Sequence, residues 1–216
     1  MAGPIAAVTR LADLDVATVH EAAGRIGDLD GRIRPIQTGV TIAGRVVTAE
    51  CHPGDNLAIH RAVLAAESGD VLVVAAGGHL AGYWGEILAV AAQVRGIGGL
   101  VIDGGCRDTA ALRRLGFPVW SAGVSVHGTV KVVPGHVNEP VAVGGVIARH
   151  GDYVLADDDG VVVIPAERID AVLDAAEARR DKEERGFALL RDGATTFEVL
   201  GIKTEQPFQG ELGAGG

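Results

Sequence analysis

Between Val71 and Ser121 the chain alternates short apolar runs with helical stretches, and this alternation limits the possible folds more than any other feature. Val71-Leu-Val-Val-Ala-Ala76 is an unbroken aliphatic run of the kind found in strands buried on both faces. Gly99-Leu-Val-Ile-Asp103 and Pro118-Val-Trp-Ser121 repeat it, and the segments from Gly85 to Arg95 and from Asp108 to Leu115 read as helices. Strand–helix–strand–helix–strand in that order predicts an α/β fold with parallel core strands and right-handed crossovers.

The flanks extend this core. Asp15 stands where an N-cap precedes Val-Ala-Thr-Val-His-Glu-Ala, which predicts a capped helix. Val40 to Cys51 is rich in β-branched residues and reads as one or two strands, and Asn56 opens a helix running to Glu67. After Ser121 the pattern turns to β, with strands expected at Gly128–Val133, Val141–Ala148, Asp152–Ala156 and Gly160–Ile164. A long polar helix from Ala166 to Leu190 closes a single domain expected over residues 1–205. A glycine-rich tail is expected from Gln206 to the end.

Composition removes several function classes. With 48% hydrophobic but 4% aromatic residues, the core must be built from Ala, Val, Leu and Ile, and the 32 glycines call for many tight turns. No apolar run reaches the ~18 residues of a membrane span. The first thirty residues lack the basic-then-apolar pattern of a signal peptide, so a cytoplasmic location is expected. The 19 basic and 28 acidic residues leave a net charge of −9 with no basic stripe, which argues against nucleic-acid binding. Cys51 and Cys106 make neither a disulfide framework nor a zinc pattern, and the seven histidines include no His-x-x-x-His pair.

The candidate chemistry gathers at the carboxyl ends of two expected strands. Glu86 opens one helix and Arg107-Asp108 follows the next strand, 20 residues intervening, so both lie at the same sheet edge, where open α/β sheets bind ligands. A helix N-terminus offers free N–H groups and a positive dipole end to an anion, with Gly85 leaving room and Ile87 and Leu88 supplying N–H groups. The same residues also read more plainly: Glu86 favours any first helical turn, and Asp108 before Thr-Ala-Ala-Leu is a good N-cap. Asp157-Asp158-Asp159-Gly160 reads as a turn between strands, since no glutamate follows at calcium-loop spacing. Of the three lysines, Lys131, Lys182 and Lys203, none is placed as the buried amine of a Schiff-base enzyme, so carbon–carbon cleavage beside a carbonyl would call for a metal as electron sink.

At these residues the sequence resembles the metal-dependent 4-hydroxy-4-methyl-2-oxoglutarate aldolases, which share a superfamily with the regulator of RNase E activity. The resemblance runs from about Val16 to Pro165 through Val19-His-Glu-Ala, Arg34-Pro-Ile-Gln, Pro53-Gly-Asp-Asn56, Tyr83-Trp-Gly-Glu86, Asp103-Gly-Gly-Cys-Arg-Asp108, Gly128-Thr-Val-Lys131 and Ala156-Asp-Asp-Asp-Gly-Val161. It implies a β/β/α fold like the swivelling phosphohistidine domain, assembled as trimers or hexamers with sites between subunits. It further implies Mg²⁺ or Mn²⁺ on Asp108, with Glu86 in the outer shell through water and Glu183 reaching in from an adjacent subunit, Glu184 being the next choice. Pyruvate would lie against the backbone of Gly85, Glu86, Ile87 and Leu88, with Arg107 on the developing enolate oxygen. The family's acidic position is usually Asp where this chain has Glu86, and the chain after Ile164 matches less well.

The resemblance therefore implies a class II pyruvate aldolase acting on a 4-hydroxy-2-oxo acid, with oxaloacetate decarboxylation through the same enolate. Arg107, Glu86 and Asp108 are its expected catalytic set. A non-enzymatic protein-binding regulator and a different small lyase, its substrate set by the loop from Gly77 to Tyr83, are the alternatives.

Overall fold

The computed structural model describes residues 3–203. In chain order the elements are the helices α1 (Pro4–Ala12) and α2 (Val16–Ala22), strands β1 (Arg34–Pro35) and β2 (Ile42–Glu50), helix α3 (Leu57–Ala65), strand β3 (Val71–Ala75), helix α4 (Glu86–Val94), strand β4 (Gly99–Cys106), helix α5 (Thr109–Leu115) and strand β5 (Val119–Val124). There follow the strands β6 (His136–Val137), β7 (Val141–Val143), β8 (Val146–Ala148), β9 (Tyr153–Ala156) and β10 (Val161–Ile164), then helices α6 (Ile169–Arg191) and α7 (Thr196–Leu200). The tail expected from Gln206 lies outside the described residues, as does the end of the expected domain at 205.

Two units divide the chain, Met1–Glu177 and Ala178–Gly216. In the first, the sheet order is β1-β5-β4-β3-β2-β9-β10, with β6 also pairing β2. The centre β2, β3, β4 and β5 is parallel, as the alternation requires, while β1, β6, β9 and β10 join antiparallel. β2 serves both halves. Its first residues pair with β9 and its last with β3, so a single strand turns the sheet from one packing environment to another.

Three apolar clusters fill the unit. Leu72, Val74, Leu100 and Ile102 face α3, α4 and α5, where Ile59, Ala89 and Leu112 are fully buried. On the opposite face Val71, Val73 and Val101 pack with β7 to β10 through Val143, Val154 and Val163. The third cluster sets Leu155, Val162 and Ile164 against α1, α2 and the start of α6. Arg10 fastens α6 to α1 by bonds of 2.7 Å to both Asp174 and Glu177. In the second unit Thr195 and Glu198 form a reciprocal capping box at the start of α7, and Arg179 pairs with Glu183 at 2.9 Å.

Several sequence expectations need correction. Gly128–Val133 is not a strand: the buried Asp55 carboxylate takes the N–H groups of Val132 and Val133 at 2.6 and 2.7 Å, so they are spent on a side chain instead of a ladder. These bonds hold Asp55 below the usual carboxylate range, against the opposing effect of burial. Asn56 occupies the N-cap position of α3 without capping it, because its amide donates to the Tyr83 carbonyl and Asp55 serves Leu57 instead. Helix α1, absent from the sequence reading, starts with Pro4 in its first turn. The aspartate-rich turn joins β9 to β10 as expected, and its carboxylates are taken by backbone: Asp157 by Val16 and Asp159, Asp158 by Gly39.

Candidate active site at the start of helix α4

Strand β4 runs three residues further than its apolar run announces, through Gly104-Gly105-Cys106, and delivers Arg107 directly at its end. The glycines are needed there. A side chain at Gly105 would collide with the Ala81 carbonyl, so the loop between β3 and α4 can cross the strand only above glycine. That loop and the strand end are stitched together: the Tyr83 N–H donates to the Gly105 carbonyl at 3.0 Å, and the Arg107 N–H to the Trp84 carbonyl at 2.8 Å. Trp84, stacked on Phe117 at 5.4 Å in the core, anchors the crossing.

Asp108 then adopts an unusual conformation. It sits at the N-cap position of α5 with φ 57° and ψ 34°, in the left-handed region that non-glycine residues rarely occupy, and its side chain makes no bond to its own helix. The carboxylate turns instead to α4, where Oδ2 accepts the Glu86 N–H at 3.0 Å. The expected N-cap role is thus not the one the structure shows. Gly85 makes the approach possible: a Cβ there would stand 2.5 Å from Asp108 Oδ2 and 3.1 Å from Arg107 Cγ. The carboxylate that Gly85 admits belongs to this chain.

Arg107 lies alongside, its Nε 3.8 Å from Asp108 Oδ2 and its stem across Gly82, where a Cβ would come within 2.8 Å of Cδ. The two side chains are 44% and 43% exposed, so both remain open to a ligand. Asp108 Oδ1 and the terminal guanidinium nitrogens take no protein partner among the described residues. The first turn of α4 adds the N–H groups of Ile87 and Leu88, which have no acceptor within the helix. Leu88 is buried and offers backbone only, whereas the side chains of Glu86 and Ile87 are exposed.

Gly85, Glu86, Ile87, Leu88, Arg107 and Asp108 therefore meet at one place. Glu183 lies in the second unit, paired with Arg179. Cys106 is buried, and desolvation pushes its thiol up, as expected for packing and not for nucleophilic attack. Lys131, Lys182 and Lys203 are all exposed, none in the dry setting a Schiff-base amine needs. The sequence reading missed Asp103, whose carboxylate accepts the Ala76 N–H where the β3–α4 loop begins; two adjoining glycine pairs, Gly77-Gly78 and Gly104-Gly105, were its only local signal.

Among the described residues no three His, Cys, Asp or Glu side chains gather to hold a metal. The half-exposed Asp108 carboxylate, with one oxygen unused, still fits a hard cation that binds through one or two carboxylates and keeps several waters. Mg²⁺ and Mn²⁺ prefer such oxygen donors.

A mixed sheet here carries a guanidinium, a carboxylate and a helix N-terminus together at the carboxyl edge of its parallel strands. The model of the RraA-like family, described as Aldolase/RraA, matches residues 15–163, and the chain belongs to this family. It is 30% identical over 197 residues to a Halalkalibacterium halodurans protein provisionally named a 4-hydroxy-4-methyl-2-oxoglutarate aldolase, covering 91% of each chain. Among solved structures it resembles Streptomyces coelicolor RraAS2, an unusual member of the RNase ES inhibitor RraA family. That match has a TM-score of 0.77 and 32% identity, and covers 86% of this chain and 98% of the other. An uncharacterized Pseudomonas syringae protein shares the fold at a TM-score of 0.80 and 24% identity, over 91% of this chain and 97% of that one. Among the described residues no helix is long and apolar enough to cross a membrane.

Proposed function

We propose that the chain is a divalent-metal-dependent pyruvate aldolase that cleaves a 4-hydroxy-2-oxo acid and decarboxylates oxaloacetate at the same site. The observation that carries this reading is the Asp108 carboxylate, turned from its own helix to the start of α4 with one oxygen left open beside Arg107. Asp108 would hold Mg²⁺ or Mn²⁺, with Glu86 ordering a water between them and Glu183 or Glu184 of an adjacent copy in a trimer or hexamer completing the set. The metal, when bound, supplies a Lewis acid for the 2-oxo oxygen.

The remaining work falls to the chain itself. The N–H groups of Ile87 and Leu88 bind the substrate carboxylate at the positive end of α4. Arg107 donates to the 2-oxo oxygen as the C3–C4 bond breaks and its electron pair moves into the enolate, an interaction stronger in the transition state than before it. Glu86 would take the 4-hydroxyl proton through a water it holds, and protonation of the enolate at C3 from solvent then gives pyruvate. Oxaloacetate gives the same enolate by loss of CO₂, so a single arrangement serves both reactions.

Pyruvate release from oxaloacetate, followed with and without Mg²⁺ or Mn²⁺ beside Asp108→Ala, tests the reading. Metal-dependent release that the variant lacks is expected; equal turnover in the variant would sink the assignment. The likeness to RraAS2 supports a second reading, a non-enzymatic regulator that binds a ribonuclease. Capture of an RNase E scaffold segment by a protein that releases no pyruvate with any divalent metal would establish that reading instead.

A further inference from the structure

We propose that Asp103 is a positioning residue for Arg107, holding in place the loop on which the arginine rests. The proposal builds on the role given to Arg107 above.

Asp103 projects from β4 on the face opposite Ile102 and Cys106, at the wall of a cavity of about 310 Å³ that Arg32, Gly77, Gly78 and Gly144 also line. Its carboxylate accepts the Ala76 N–H, and Gly77, Gly78 and Gly144 line the same cavity around it. Gly77 and Gly78 have φ of +61° and +72°, so the loop turns sharply at the carboxylate in a way side-chain-bearing residues resist. Gly144 belongs to the tight β7–β8 turn, also at positive φ. Two separate segments, the start of the β3–α4 loop and the β7–β8 turn, thus meet around a single side chain. Burial raises the carboxyl above its ordinary range, and the Ala76 N–H counters that rise. The charged groups nearest by chemistry are Arg32, which adds attraction, and Asp30, which Arg32 already binds at 3.1 Å.

The consequence lies at the other end of the loop. Ala76 is fixed to Asp103, Tyr83 to Gly105, and Trp84 to Arg107, so β4 and the residue after it tie the loop at both ends. Between the ties, Gly82 donates to the His127 carbonyl at 2.7 Å and passes directly beneath the Arg107 stem. The strand that presents Arg107 therefore also holds the surface on which it lies. Removing the tie at Asp103 frees one end of that surface and lets the guanidinium leave the position that serves the enolate oxygen.

The test uses the full chain in four forms: unaltered, Asp103→Asn, Arg107→Ala and the double variant, each assayed for Mg²⁺-dependent pyruvate release. Asp103→Asn is expected to lower kcat about tenfold with KM changed less than about twofold, and to lower it no further in the Arg107→Ala background. Unchanged kcat overturns the proposal. So does an equal loss in both backgrounds, which marks a chain that is merely less folded. If the unaltered chain releases no pyruvate, the reading of Arg107 has failed, and hydrogen exchange on the same proteins decides whether Asp103 ties the loop. Faster exchange confined to residues 77–85 supports the tie, while unchanged or uniformly faster exchange overturns it. Should Asp103→Asn not fold, Gly78→Ala strains the same contact from the loop side and is expected to give the same kcat pattern to a smaller degree.

Discussion

Helices α2 and α4 each begin beneath an aspartate from a distant part of the chain, and the two arrangements differ in one respect. At α2, Asp157 Oδ2 accepts the Val16 N–H at 2.9 Å while Oδ1 accepts the Asp159 N–H at 2.8 Å, and Asp15 caps the same helix by bonding Thr18 at 2.7 Å. At α4, Asp108 accepts the Glu86 N–H through one oxygen, its other oxygen is open, and Gly85 contributes no side-chain cap. One start is closed by its hydrogen bonds and the other is left unfinished. An open helix start beside a half-exposed arginine leaves N–H groups and a carboxylate oxygen to water or to a ligand, which is what the proposed function uses.

Substitutions at the two aspartates would break the comparison if it were wrong. The largest effect is expected from Asp108→Ala, which should abolish metal-dependent pyruvate release per folded molecule, with the thermal midpoint read on the same purified sample. Arg107→Ala should retain metal binding but lose about 10²–10³ in kcat, the range for removing one donor to a developing oxyanion. Metal titration followed by calorimetry separates these two losses. Glu86→Gln keeps the volume of the side chain and removes its basicity; a fall of about 10² in kcat is expected if it acts through an ordered water, and undiminished turnover would remove it from the mechanism.

Gly85→Ala sharpens the same point without touching a charged group. Its Cβ must displace either the Asp108 carboxylate at 2.5 Å or the Arg107 stem at 3.1 Å. Backbone strain is not involved, since Gly85 has φ −158°, a value any residue adopts. About tenfold lower kcat is expected from misplacing two groups by a fraction of an ångström, with the fold intact by circular dichroism. Full activity would show that neither group needs its present position.

The central sheet was legible because its signal is long and repeated. Uninterrupted runs at β3, β4 and β5 separated by helix-length segments leave few topologies, and the parallel pairing followed. The meeting of the candidate residues was legible as a spacing: Glu86 and Arg107-Asp108 sit one crossover apart. What could not be read was which N–H group each acidic side chain would satisfy. Asp15 and Asp108 carry the same local N-cap signal, and only Asp15 serves its own helix. Asp55 likewise removed an expected strand at Gly128–Val133 by taking its N–H groups, a contact across 77 residues that no local pattern encodes. Side chains that pair across the fold compete with ladders and caps, and the outcome depends on the tertiary path of the chain.

The smallest expected effect, Asp157→Ala, completes the comparison from the closed side. Losing this carboxylate leaves the Val16 and Asp159 N–H groups without their acceptor, while the bond from Trp120 Nε1 to the Asp157 backbone carbonyl at 2.8 Å survives. Charge-assisted hydrogen bonds at a partly buried position contribute about 1–3 kcal/mol, which for a chain of this size lowers the thermal midpoint by roughly 2–12 °C. Both α2 and the β9–β10 turn lie away from Arg107 in the chain, so pyruvate release per folded molecule should stay at the unaltered rate. The two aspartates would then divide, Asp157 changing stability without activity and Asp108 abolishing activity in the molecules that stay folded. A loss of turnover in Asp157→Ala beyond its loss of folded protein would show instead that the closed helix start also shapes the site, and that the open oxygen on Asp108 is not the feature that separates them.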